Sequence, residues 1–229
     1  MRSRLGLYAW ERRHPCRHRA TLGTQRLLEL ALVDNFAVFN RDFYQQSTVL
    51  VARQLLGTVL CRRLPDGGVL TAPIVEVEAY TEDDPACHAF RGLTERTRVM
   101  FGPPGHAYVY FIYGMYYCLN VVTEPEKTPG AVLIRAIGVT GGEGPGKLCR
   151  LWGINKDQNG VDLCNPGSDL WIVPGQKVGR SEIQASTRIG LKVAEERPWR
   201  FYLKGHPHVS GGPKRRVPAK LLKRLGDQA

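Results

Sequence analysis

The chain has 229 residues, 43% of them apolar, so it can bury a substantial core without a metal or a disulfide framework. Its formal charge of +11 points to a polyanionic partner, yet the excess sits at the ends: seven Arg and one Glu in residues 1–26, six Lys or Arg and one Asp in 214–229, and nineteen basic against nineteen acidic residues between. No apolar run reaches the roughly 20 residues of a membrane span, the leader lacks the apolar middle of a signal peptide, and six cysteines without a CxxC pair fit buried thiols in a reducing, intracellular compartment.

Residues 1–36 read as a basic, disordered extension, weakly amphipathic over 27–36. His14, Cys16 and His18 fall in it with no fourth ligand nearby, which is the pattern of a solvated tail rather than of a metal site. Ser47 can cap a helix whose apolar positions are Val49, Leu50, Leu55 and Leu56, with Gly57 as the stop. Residues 58–63 and 69–80 then predict a hairpin around the turn Pro65-Asp66-Gly67-Gly68. In its second arm, Ile74-Val75-Glu76-Val77-Glu78-Ala79-Tyr80, the period of two puts Glu76, Glu78 and Tyr80 on one face. Alternating Val and Glu ordinarily means a solvated face, and that is the expectation from the alternation alone.

Residues 81–88 form a loop that delivers His88, and 91–101 interleave Arg91, Arg96 and Arg98 with Thr94 and Thr97, a mixture suited to phosphate contacts. The densest feature follows. Five of the nine tyrosines lie between Tyr108 and Asn120, and Gly114-Met115 breaks the run where a chain reversal is needed, so two strands with Tyr113 and Met115 at their tip are expected. Residues 131–139 predict an apolar strand broken only by Arg135, a guanidinium that needs a partner or an anionic ligand. Residues 141–147 imitate a phosphate-binding P-loop, but Leu148 stands where magnesium coordination needs Ser or Thr; Lys147 at the start of a helix over 148–152 can still meet a backbone phosphate. Further strands are expected at 170–173, 199–203 and 187–191.

Taken together, Ala52-Arg53-Gln54-Leu55-Leu56-Gly57, the Ile74 to Tyr80 arm, His88, Met100-Phe101, the tyrosine hairpin through Asn120, Val132-Leu133-Ile134-Arg135-Ala136, Gly144-Pro145-Gly146-Lys147-Leu148-Cys149, Ile154-Asn155-Lys156 and Arg200-Phe201-Tyr202 resemble the alkyladenine (3-methyladenine) DNA glycosylase family in content and order. The resemblance spans about 41–210. It implies an α+β fold: a single mixed domain, residues 37–212, with a curved, largely antiparallel sheet, flanking helices and a protruding DNA-inserting β-hairpin, followed by a basic tail at 213–229. It also implies a monofunctional enzyme that flips an alkylated or deaminated purine (3-methyladenine, 7-methylguanine, hypoxanthine, ethenoadenine class) from duplex DNA and hydrolyses its N-glycosidic bond, as a monomer, away from membranes and without metal or cofactor.

On this resemblance Glu78 corresponds to the general base and Arg135 to the residue that helps hold the water and the adjoining phosphate. Tyr80, His88 and Tyr110 correspond to the walls around the extruded base, and Asn120 to the residue that crowds the amino group of guanine. Tyr113 corresponds to the wedge, with Met115 beside it, while Thr94, Arg96, Thr97, Arg98, Lys147 and Lys156 are expected on the DNA backbone. The residues alone leave a second function open, a noncatalytic binder that stacks single-stranded bases on its tyrosines.

Overall fold

The longest strand of the protein, β2 (Val69–Tyr80), is the trunk from which the other elements branch; the structure is a computed structural model and describes residues 38–211. Its first half pairs with β1 (Val59–Arg63) in the register Val59↔Pro73 to Arg63↔Val69. Its second half is hydrogen-bonded on one edge to β5 (Gly130–Ile137) and on the other to β8 (Arg200–Leu203). With β3 (Ala107–Ile112), β4 (Tyr116–Thr123), β6 (Leu170–Val173) and β7 (Ile183–Ser186), these make one eight-stranded sheet of order β3-β4-β5-β2-β1-β6, extended by β8 and β7 along the second half of β2. All these pairings are antiparallel, and the α+β reading holds.

The β2–β5 ladder is irregular where it matters. Ile74 faces Ile137, Glu76 faces Ala136 and Val77 faces Ile134, so Val75 on one strand and Arg135 on the other are left without an opposite number. Bulges of this kind bend a strand and re-aim a side chain. The solvated face expected for Glu76 and Glu78 is not found: every residue from Ile74 to Ala79 is buried, because β2 has neighbours on both edges and is covered on both faces.

Helices flank the sheet. A four-residue helix, α1 (Arg41–Tyr44), starts at Asn40, whose side chain accepts from the Phe43 amide, and leads into α2 (Thr48–Leu55). The face of α2 differs from the expected one: Thr48, Val51, Ala52 and Leu55 are buried, and Leu50 is left at the surface. Ser47 stands at the N-cap without a side-chain bond, since Glu124 takes that role by accepting from the Thr48 amide at 2.6 Å and its hydroxyl at 2.8 Å. The third helix, α3 (Pro145–Trp152), begins three residues earlier than expected, with Pro145 in its first turn, where a missing N–H costs nothing. It packs on β4 and β5 and ends at Gly153 in left-handed backbone, whose amide caps the last turn.

The strand expected at 187–191 is instead a loop, and the pairing segment is β7 just before it. One large cluster, built on residues such as Leu55, Leu60, Ile74, Ile134 and Phe201, fills the interior. A second, smaller cluster of Cys87, Ala89, Met100, Tyr108, Val122 and Ala131 backs Tyr80 and Tyr110. Cys61, Cys87, Cys118, Cys149 and Cys164 are free thiols, and no helix among the described residues is long and apolar enough to cross a membrane. The expectations for 1–36, including His14, Cys16 and His18, and for 213–229 lie outside the described residues.

Candidate active site

Two carboxylates side by side on one buried strand are costly unless each is matched by positive charge and hydrogen bonds. Here they are. Both side chains have 0% exposure, and Arg135, released from the ladder by the bulge, sits between them with Nε 3.3 Å from Glu76 Oε1 and one terminal nitrogen 3.2 Å from Glu78 Oε1. Glu76 also accepts from Arg200 Nε at 2.6 Å and from the Ser210 amide at 2.5 Å. Arg200 closes the group by donating to the Ser210 carbonyl at 2.7 Å and the Ser186 hydroxyl at 3.0 Å. Glu78 accepts on Oε1 from the Ile189 amide at 2.8 Å and on Oε2 from the Tyr80 hydroxyl at 2.8 Å. Burial, reinforced by the Glu78 charge, pushes the Tyr80 phenol far above its ordinary range, so Tyr80 stays a donor.

Glu78 and Arg135 lie on the lining of a cavity of about 490 Å³, a volume suited to a small ligand. Its walls are aromatic. The His88 ring stands 4.4 Å from that of Tyr110, and Tyr110 packs 5.4 Å from Tyr108, which is held from behind by the second apolar cluster. His88 Nδ1 lies 3.0 Å from the Tyr108 hydroxyl. Burial and the Arg96 charge push the His88 imidazole down to about 4, which keeps it neutral. Asn120 is buried on the same lining, its amide fixed by donation to the Tyr108 carbonyl at 2.9 Å.

The mouth is formed by the β3–β4 hairpin and the start of α3. Tyr113 and Gly114 both take positive φ, 55° and 67°, as the two central residues of a type I′ turn do. Tyr113 is 78% exposed and Met115 64%, an apolar tip standing in solvent. Opposite, Gly146 lets α3 approach β4 so closely that a Cβ there would lie 2.7 Å from the Tyr116 ring. This brings Pro145 and Lys147 to the lining.

Of the residues singled out in the sequence, Glu78, Arg135, Tyr80, His88, Tyr110, Asn120, Tyr113 and Lys147 converge on the cavity. Met115 shares the tip, and Arg96 lies 5.2 Å from the Tyr110 ring. Thr94 and Thr97 are bound to each other, and the Thr97 hydroxyl, buried and bonded to the Gly92 carbonyl as well, is turned inward rather than offered to a phosphate. Arg98 is paired with Glu95 at the surface, and Lys156 is exposed on a single turn at 156–158; neither lines the cavity. Sequence reasoning missed Arg188, Asp84, Arg200, Ser210 and the Ile189 amide. Arg200 was visible in the motif Arg200-Phe201-Tyr202, but nothing local shows that its charge is needed 124 residues away.

Among the described residues no three His, Cys, Asp or Glu side chains converge as metal ligands. The arrangement offers an acceptor carboxylate with fixed donors, a cavity lined by Tyr80, Tyr110 and a neutral His88, and an exposed aromatic tip.

Residues 42–207 match the family described as methylpurine-DNA glycosylase. A protein of Methanocella arvoryzae, provisionally named 3-methyladenine DNA glycosylase, is 50% identical over 195 residues, 76% of this chain and 96% of its own. Proteins of Carboxydothermus hydrogenoformans and Chlorobaculum parvum with the same provisional name are 45% and 40% identical, over 74% and 80% of this chain and 97% of theirs.

Proposed function

The chain belongs to the methylpurine-DNA glycosylase family, and from that premise we propose how it works: it rotates a damaged purine out of duplex DNA into the aromatic cavity and hydrolyses its N-glycosidic bond there. It is a monofunctional 3-methyladenine DNA glycosylase, a hydrolase of N-glycosyl bonds acting in DNA repair. The observation that carries the mechanism is a fully buried carboxylate, Glu78, on the lining of a slot walled by Tyr80, Tyr110 and His88.

The carboxylate defines where water can sit. Each oxygen accepts about two hydrogen bonds. Oε1 accepts from the Ile189 amide and faces the Arg135 guanidinium 3.2 Å away, while Oε2 meets only the Tyr80 hydroxyl and keeps one acceptor site for water. A water bound there gives its proton to Glu78 as its oxygen attacks C1′ of the flipped nucleotide; the C1′–N bond breaks and its electron pair leaves with the purine. A purine methylated at N3 or N7 carries positive charge, so it departs neutral without a second acid. The same charge gains roughly 0.5–2 kcal/mol between aromatic faces over its neutral counterpart.

The finer assignments belong to the same proposal. Arg135 orients the water and the adjoining phosphate, Asn120 crowds the amino group of guanine, and His88, with Tyr80 and Tyr110, walls a cavity that takes 7-methylguanine, hypoxanthine and ethenoadenine as well as 3-methyladenine. Tyr113, with Met115 beside it, fills the gap left in the stack. Arg96, Arg98, Lys147, Lys156 and Thr94 supply phosphate contacts, the catalytic unit is 37–212 acting as a monomer, and the basic ends add attraction to DNA inside the cell.

The test is Glu78→Gln, which keeps the shape of the side chain and removes the base. It is expected to bind methylated duplex as the wild type does and to release no base, read as the absence of alkali-labile abasic sites. A variant that still releases purines removes Glu78 from this role.

A further inference from the structure

Arg188 does not line the cavity, yet its side chain is wholly buried and tied to the strand and the loop that carry two of the groups bonded to the general base, Tyr80 and the Ile189 amide. Its guanidinium forms a two-point ion pair with Asp84, itself at 0% exposure, with a second contact at 3.0 Å. It also donates to the Ala79 carbonyl at 3.0 Å and to the Ala194 carbonyl at 3.2 Å. Its central carbon, Cζ, lies over the Tyr80 ring, 4.7 Å from the centroid. A buried ion pair is a weak source of stability, since an apolar pair of similar volume often does as well or better. Such a pair is better explained by what it holds in register.

What it holds lies one residue away on each side. Ala79, whose carbonyl Arg188 grips, precedes Tyr80, the donor to Glu78 Oε2; Arg188 itself precedes Ile189, whose amide donates to Glu78 Oε1. After Ile189 the chain passes through Gly190, at φ 79°, to Leu191, and all three line the cavity. We infer that Arg188 is a positioning residue of the excision reaction: it fixes the Tyr80 ring and the Ile189 amide, and so decides which acceptor site of Glu78 remains open to water. The inference rests on the glycosylase reading of the cavity. Lysine cannot replace it, because an ammonium cannot grip Asp84 at two points, reach both carbonyls and sit over the ring at once.

Two variants test this. Arg188→Lys keeps the charge and loses the fork; Arg188→Met combined with Asp84→Asn removes the pair without stranding a buried charge, and Asn can still accept from the Ala86 amide as Asp84 does. Each is compared with wild type in melting temperature, in affinity for duplex carrying a tetrahydrofuran abasic analogue, and in the single-turnover rate of purine release from methylated duplex at saturating enzyme. Both variants are expected to melt and to bind the analogue as wild type does, within about threefold, and to release purine between about tenfold and a hundredfold more slowly, the size of a small misplacement of reacting groups. A folded variant that releases purine within about twofold of wild type overturns the role. So does a fall in rate matched by equal falls in analogue binding and melting temperature, which would mark a structural part only. If the wild type itself releases no purine, it is the glycosylase reading that fails.

Discussion

Tyr113 allows the cost of a functional residue to be separated from its use. It is an L-residue at φ 55° and 78% exposed, so it holds left-handed backbone and receives little packing in return. Left-handed backbone costs an ordinary residue about 1–2 kcal/mol, and asparagine carries much less of that penalty. Tyr113→Asn should therefore stabilise the free protein by about 0.5–1 kcal/mol, which for a domain of this size is about 1–4 °C in melting temperature. Against this, loss of an aromatic ring from a base stack is worth about 1–3 kcal/mol, or about 5- to 150-fold in affinity for a duplex with an extruded base. The assay pairs thermal melting with titration of a duplex carrying a fluorescent base analogue beside the lesion. A drop of several degrees on melting would show that the ring packs, and unchanged binding would remove the wedge; either result refutes the reasoning.

Two further outcomes follow from buried groups. Glu76→Gln replaces a carboxylate shared by Arg135, Arg200 and the Ser210 amide with a side chain that presents a donor to one of these donors; the expected loss is about 3–5 kcal/mol, or about 6–20 °C, and a shift within 3 °C by calorimetry would contradict it. His88, pushed down to about 4, should stay neutral across the working range, whereas in the unfolded chain its imidazole takes up a proton near 6.5. The unfolded state then binds more protons between these values, so this contribution to stability is complete above about pH 6.5 and is lost as the pH falls toward 4. An imidazole NMR titration that places His88 near 6.5 would contradict this.

Elements set by local pattern were legible in the sequence, and those set by distant partners were not. β2, β5 and the tyrosine hairpin follow from runs of β-branched and aromatic residues, and the structure places them almost as expected. The alternation in Glu76-Val77-Glu78 was legible too, but its meaning was not: a carboxylate is buried or solvated according to whether cations reach it, and those of Glu76 come from Arg135 and, 124 residues on, Arg200. Arg188 was hidden for a related reason. It sits in a stretch whose Thr-Arg-Ile-Gly-Leu pattern imitates a strand, while its real partners are Ala79 and Asp84, more than a hundred residues earlier. Thr97 was a local oversight, since a hydroxyl three residues from another commonly bonds within its own turn before it meets a ligand.

Around the site, the buried carboxylates Glu76, Glu78 and Asp84 are matched in number by three buried guanidiniums, those of Arg135, Arg188 and Arg200. Such a set carries no net charge and is buried, whereas Arg98 and Lys156, proposed for the DNA backbone, are exposed and are screened beyond about 8–10 Å at ordinary ionic strength. On the proposed reading the two halves of the work are insulated from each other: added salt is expected to loosen the grip on the duplex and shorten each visit, while the rate at which a docked nucleotide loses its base stays unchanged.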